Sequence, residues 1–291
     1  MCAPEHFGVA YEINPWMHKE VRPDPDLART QFEDLVATLR AGGAEIELED
    51  PAEGLPDLVF TANAGIVNGR QFVPAHFRHP QRQGETAHDV AWFVSKGWRV
   101  DRLPADVAHE GAGDALPFAT DAEPTAAAAS GQREAEPRTP MGPVLVSGYR
   151  LRSDATSHAP LARLVGVPVR SVELVDERLY HLDLIFCPLD GRRAMIAPLG
   201  LDSYGTRVMK ALVPEPLILE DDEALAFVAN SVVVDHLVVM PTCPPRVGRE
   251  LEAWGFTVAV VPVGEFQKAG GGCRCLTLAL DVVLAEPRGA A

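Results

Sequence analysis

A repeating plan constrains this chain more than any other feature of it. Five times a polar, chemically capable residue is followed by an apolar strand-like run, a tight turn and a second run often closed by Pro. The five segments are Asn63 to Pro74, Glu110 to Phe118 resuming at Val144, His181 to Pro198, Asn230 to Pro241 and Cys275 to Pro287. Their lead residues lie 47, 71, 49 and 45 positions apart. The one long interval contains Ala119 to Pro143, a low-complexity run with four consecutive alanines, which we read as a surface insertion within a hairpin that has little to bury. Without those residues the period returns. Asn68-Gly69 and Asp190-Gly191 carry the strongest hairpin signals.

Helical patterns fill the gaps, each followed by one more strand: Thr86 to Lys96, Ser157 to Val165, Ser203 to Leu212 and Val247 to Trp254 precede Arg99–Leu103, Val167–Leu174, Leu217–Leu219 and Thr257–Val263. The fifth hairpin has no helix after it. The missing pieces stand at the front, as Leu27 to Leu39 and the strand Glu45 to Leu48. The plan is therefore a ring of five ββαβ units with pseudo-fivefold symmetry, one α/β domain over residues 1–291, closed by the N-terminal helix. An ordinary α/β sandwich is the competing arrangement. A ring would gather the lead residues around one axis.

Near the end of the chain, Gly270-Gly271-Gly272 runs into Cys273-Arg274-Cys275. Glycines permit positive φ and close approach, and a Cys presented on such a turn is a candidate nucleophile. Its thiolate would need a base or a cation nearby, and His181 and Arg274 are the candidates. Cys273 shares the turn, but only Cys275 leads a repeat.

Composition narrows the partners. A net charge of -15 argues against nucleic acid or an anionic membrane, both of which select basic patches. No signal peptide and no apolar run of membrane-spanning length is evident, which predicts a cytoplasmic protein. Five irregularly spaced cysteines fit a reducing compartment, and no second Cys pair completes a zinc site. Neither a metal nor an organic cofactor is indicated.

Three motifs carry a family resemblance: Glu110-Gly111-Ala112-Gly113-Asp114, His181-Leu182-Asp183 and Gly272-x-x-Cys275-Leu276-Thr277. The chain resembles, from about Met1 to Leu284, the guanidino-group-modifying superfamily or penteins. These include arginine deiminases, dimethylargininases, amidinotransferases and arginine dihydrolases. The resemblance implies a five-bladed α/β propeller with its active site on the axis and a small-molecule substrate, arginine or a methylated arginine. A homo-oligomer is compatible with it. It implies Cys275 as nucleophile, His181 as acid and base, and Glu110, aided by Asp183, as the grip on the guanidinium, since carboxylates match its N–H fork. Arg82 and Arg152 match the arginines that hold the substrate carboxylate, with Arg78 and Arg150 as neighbouring alternatives. Asn14, in Tyr11 to Met17, resembles a contact in the dihydrolase branch, and Phe60 and Ala269 complete the implied substrate site.

One departure selects within the family. Deiminases and dimethylargininases resemble this chain except for an acidic residue near Asn63, where an amide replaces a charge with a donor–acceptor pair. The stretch Asn63-Ala64-Gly65 resembles the arginine dihydrolases, which take arginine through a citrulline-level intermediate to ornithine, ammonia and carbon dioxide. The one-step deiminase or dimethylargininase giving citrulline, the amidinotransferase and a non-catalytic binding propeller are the rival readings.

Overall fold

The computed structural model describes residues 1–119 and 142–284. Four units of the expected plan are present. The first pairs β1 (Gly65–Asn68) antiparallel with β2 (Gln71–Pro74), crosses through α2 (Glu85–Ser95) and returns as β3 (Arg99–Val100), parallel to β2. A parallel neighbour demands a crossover of this kind, which is why a helix separates strands two and three of each unit. The second unit is β4 (Ala115–Phe118), β5 (Val144–Tyr149), α4 (His158–Val165) and β6 (Val169–Glu173). The third is β7 (Phe186–Pro188), β8 (Arg193–Ile196), α5 (Ser203–Leu212) and β9 (Glu215–Ile218). The fourth is β10 (Val232–Val234), β11 (Leu237–Met240), α7 (Pro245–Ala253) and β12 (Thr257–Val260), with the short α6 (Asp221–Leu225) ahead of it.

The turns follow from side-chain chemistry. Gly69 takes φ +57° between β1 and β2, as the Asn-Gly pair predicts. The Asp190-Gly191 pair does not form a tight two-residue turn. There Asp190 Oδ1 accepts from the amides of Arg192 and Arg193, and the connection widens to four residues. All but the ends of the run Ala119 to Pro143 lie outside the described residues, while Phe118 and Val144 at its two ends pair directly.

The fifth unit departs from expectation. Its helix, α1 (Pro25–Ala41), is present, begun by Asp24, whose side chain accepts from the amides of Asp26 and Leu27. Its buried face, Phe32, Leu35, Val36 and Leu39, packs into a core with Val261, Val263, Phe266, Cys273 and Cys275. Among the described residues the strands of this unit are not formed. Residues 45–48 join no ladder among the described residues; the Glu47 carbonyl accepts from the Met1 amine and the Leu48 carbonyl from Trp92 Nε1. Only an isolated parallel bridge, Cys2 to Glu49, remains. Residues 275–284 run as turns and extended chain, fastened to the first unit where Gly69 N donates to Val282 O and Leu284 N to Asn68 Oδ1. The remainder of that expected hairpin lies outside the described residues.

The ring nevertheless closes through its unit starts. Asn63 Nδ2 donates to Glu110 O, Leu182 N to Asp114 Oδ1, and Asn230 Nδ2 to Asp183 O. Arg274 N donates to Asn230 O, and Ala62 N completes the circuit on Cys275 O. The fold is the five-bladed α/β propeller, with four regular sheets and an irregular fifth blade. Among the described residues no helix is long and apolar enough to cross a membrane.

Because α1 is the main packed element of the fifth blade, truncating its wholly buried Leu35 should be costly. Leu35→Ala is expected to lower unfolding free energy by about 2–5 kcal/mol, read as a lower urea midpoint at unchanged slope. A loss below 1 kcal/mol would mean that α1 is peripheral.

Candidate active site

Four of the lead residues stand shortly before the first strand of their blades, and Cys275 stands at the start of the irregular fifth; their side chains meet near the axis. Asn63 ends a helical turn (Thr61–Asn63), Glu110 precedes the short α3 (Gly111–Asp114), and His181 precedes a turn at Leu182–Leu184. Asn230 precedes β10, and Cys275 follows the glycine run. With Asp183 these side chains are all 3% exposed or less.

One half of the site is an ion-paired cluster. Glu110 Oε2 accepts from His181 Nε2 at 2.8 Å and from Arg152 Nη1 at 3.1 Å, while Glu110 N is held on Ser153 Oγ at 2.9 Å. Burial opposes charge on Glu110, but Arg152 and His181 outweigh it and hold the carboxyl well below the usual range. His181 moves the other way. Burial pushes it down to about 4 although Glu110 partly opposes this, so the ring is neutral. Since an ionised Glu110 can only accept, the His181 proton sits on Nε2.

The other half is centred on the thiol. Cys275 Sγ lies 3.1 Å from Asn230 Nδ2 and 3.4 Å from Asp183 Oδ2. Burial, and then Asp183, push the Cys275 thiol well above its ordinary value. Burial likewise pushes Asp183 up to about 6, with Arg274 opposing, and its Oδ1 has no hydrogen-bond partner. The expected activators of the thiol are engaged elsewhere: His181 on Glu110, and Arg274 Nη1 on the Thr277 carbonyl at 2.8 Å. Cys273 points away, with Sγ 3.5 Å from Val261 O. A planar cationic group bound between the halves would favour thiolate and carboxylate together.

Arg82 and Arg152, rather than Arg78 and Arg150, belong to this interior. Arg82 binds Glu85 through Nε and Nη2 and donates from Nη1 to Asn63 Oδ1 at 3.0 Å. Asn63 is thereby locked at both ends, its Nδ2 on the Glu110 carbonyl at 3.1 Å. Arg152 spans from Glu110 to the Ile13 carbonyl across the Tyr180 ring. Arg78 pairs with Asp154, and Arg150 with Glu173, both on partly exposed ground.

Asn14, Ala269 and Phe60 meet at the glycine run. Asn14 Nδ2 donates to Ala269 O at 3.0 Å, while its Oδ1 caps the turn at Trp16 and Met17. Phe60 packs against Gly271, where a Cβ would come within 2.2 Å of the ring. Of the three glycines only Gly270 takes positive φ, at +88°. Gly272 is required for approach instead, since a Cβ there would lie 2.7 Å from Asn230 Oδ1. Sequence reasoning assigned no role to Asn230, although its place at the head of the fourth repeat was the available signal. Asp57 and Tyr180 gave none: Asp57 lies beside Arg82 at 3.8 Å, and Tyr180 OH donates to Gly270 O at 2.8 Å. All five cysteines are free, and no group among the described residues has the makings of a metal site.

A ring of ββαβ units with a thiol, an imidazole and two carboxyls gathered at the unit starts is a pentein architecture. No protein-family model matches the chain. It is 39% identical over 281 residues to the bifunctional arginine dihydrolase/ornithine cyclodeaminase ArgZ of Synechocystis, a match covering 96% of this chain and 37% of that one. The chain thus spans well under half the length of that relative. It is 34% identical to N(G),N(G)-dimethylarginine dimethylaminohydrolase of Mycobacterium tuberculosis, covering 96% and 84% respectively. The solved N-terminal domain of ArgZ bound to substrate superposes with a TM-score of 0.86 at 37% identity over 98% of both chains. This chain belongs to the guanidino-modifying family of dimethylarginine dimethylaminohydrolase and the arginine dihydrolases.

The raised value of Asp183 has a thermodynamic consequence. Its folded value lies above the ordinary 3.8, so its contribution is intact below that pH and is lost as pH rises through about 6. Asp183→Asn should therefore match the parent in stability near pH 4 and exceed it, by up to about 3 kcal/mol, at pH 7 and above. Melting curves of both proteins across that range test this, and a difference independent of pH would refute the assignment.

Proposed function

We propose that this chain is a cysteine-dependent hydrolase of the guanidinium group of free L-arginine, an arginine dihydrolase giving ornithine, two ammonia and carbon dioxide. The observation that carries the reading is the pairing of a reluctant thiol and carboxyl, Cys275 and Asp183, with the ionised Glu110, around a first lead position that is an amide, Asn63.

The substrate's cation offsets the burial and the Asp183 charge that oppose a thiolate. Bound between Glu110 and Asp183, it favours the Cys275 thiolate, which attacks the guanidinium carbon to form a tetrahedral adduct. His181 takes up the thiol proton as the thiolate forms and passes it to the departing nitrogen; ammonia leaves, and the substituted amidino group remains on sulfur as a thiouronium. His181 then takes a proton from water, whose oxygen adds to that carbon; collapse frees Cys275 and gives the ureido product. A second round on the ureido carbon consumes another water and yields ornithine, ammonia and carbon dioxide. Arg152 and Arg82 stand for the substrate carboxylate and for the orientation of Asn63, and Asn14, Phe60 and Ala269 shape the wall beside the glycine run.

The amide is suited to the second round. A neutral ureido group bears a carbonyl acceptor and N–H donors, which an amide can match without imposing a charge. The Synechocystis relative, named as a dihydrolase, and its substrate-bound N-terminal domain support this reading. The dimethylargininase reading, giving citrulline in one step, draws its support from the Mycobacterium tuberculosis relative.

Product analysis separates the two. Arginine should yield ornithine with two equivalents of ammonia; citrulline as the sole product, or turnover of dimethylarginine alone, would end the dihydrolase reading. Cys275→Ser should abolish turnover and Cys273→Ser largely preserve it. Asn63→Asp removes the donor to the Glu110 carbonyl and adds charge beside Arg82. It should shift the product toward citrulline and slow the second step by about one to two powers of ten, as loss of a matched buried hydrogen bond costs about 1–3 kcal/mol.

A further inference from the structure

Asn230 heads the fourth blade, is wholly buried, and uses both ends of its amide. Oδ1 accepts from Arg274 N at 3.0 Å and from Cys275 N at 3.2 Å. Two backbone donors require an oxygen, so the orientation of the amide is settled by chemistry and its NH₂ must face the other way. That group donates to Asp183 O at 3.2 Å and lies 3.1 Å from Cys275 Sγ. Asn230 therefore touches the nucleophile twice, once at its amide and once at its sulfur.

The charges around the sulfur make the second contact consequential. Asp183 faces it from the third blade and disfavours a thiolate, and the Tyr180 hydroxyl nearby is held on Gly270. On its own segment Arg274 turns to Thr277, while across the axis His181, Arg152 and Glu110 satisfy one another. Among the described residues the side-chain N–H directed at Cys275 Sγ is that of Asn230. A hydrogen bond to a charged acceptor is stronger than one to its neutral form, so this donor favours thiolate over thiol.

We propose that Asn230 is a positioning residue for the Cys275 nucleophile, fixing the turn through its oxygen and favouring the thiolate through its N–H. The assignment rests on Cys275 as the nucleophile of the proposed hydrolase. The two ends can be separated, because Asn230→Asp keeps an oxygen for the amides of Arg274 and Cys275 but replaces the donor facing sulfur with a charge.

The test follows carbamidomethylation of Cys275 by iodoacetamide as a function of pH in the full chain. Peptide mass spectrometry reports Cys275 separately from the other cysteines, and kcat and KM for arginine are measured alongside. Asn230→Asp should displace the alkylation profile to higher pH by a unit or more, roughly a tenfold slower reaction at pH 7.5. It should lower kcat more than it raises KM, with partial recovery at alkaline pH. Because the new carboxylate itself opposes a thiolate, Asn230→Ser, which adds no charge, is measured beside it: a purely structural role predicts the parental pH profile for Asn230→Ser, and that result would overturn the proposal. Should Asn230→Asp fail to fold, Asn230→Ser, with a hydroxyl too short to serve both the turn and the sulfur, should show the same displacement; an unmoved profile would overturn the proposal equally. The hydrolase reading fails separately, if Cys275→Ser retains turnover, and the alkylation profile still decides the link between Asn230 and the thiol.

Discussion

The structure depends on a circuit of hydrogen bonds between unit starts, closed where Ala62 N meets Cys275 O. Each blade is a small sheet that cannot bury both faces alone, and its neighbours supply the cover. Tying the first residue of one blade to that of the next sets the angle between blades and brings the functional side chains to one place. Packing and chemistry therefore share the same atoms. The Asn63 amide that grips the Glu110 carbonyl and the Asn230 amide that grips the Asp183 carbonyl are structural bonds made by site residues.

Electrostatics divides the site in two. Around Glu110, charge is satisfied before any substrate arrives, by Arg152 and by a neutral His181 whose proton is already directed. Around Cys275, charge is disfavoured: a buried thiol faces a buried carboxyl with an unpaired oxygen. In the proposed reading the first half is preorganised and a bound guanidinium completes the second. Burial beside Asp183 disfavours ionisation of the sulfur that we propose as the nucleophile. Outside both halves, Arg82 with Glu85 and Asp57 forms a buried pedestal that holds Asn63.

The interval between lead residues, and the apolar runs after each, were enough to specify five units and a ring, because hydrophobic periodicity and turn residues are local properties of a chain. The four regular blades follow that reading in the order and type of their elements, with strand ends displaced: β3 spans Arg99–Val100 and β12 Thr257–Val260, short of the runs expected. The fifth does not among the described residues, where the carbonyls of Glu47 and Leu48 are taken by the Met1 amine and Trp92 Nε1, donors that no local pattern of the sequence announces. The identities of Cys275, His181, Glu110 and Asn63 stood in the sequence as repeat positions. Their pairings did not. That His181 faces Glu110 and not the sulfur, that Arg82 supports Asn63, and that Asn230 lies against the thiol are matters of orientation among residues 19 to 71 positions apart. Sequence determined which groups could meet on the axis; only the packed ring decided which meets which, because a side chain's partner and its protonation are set by the buried distances that tertiary structure alone creates.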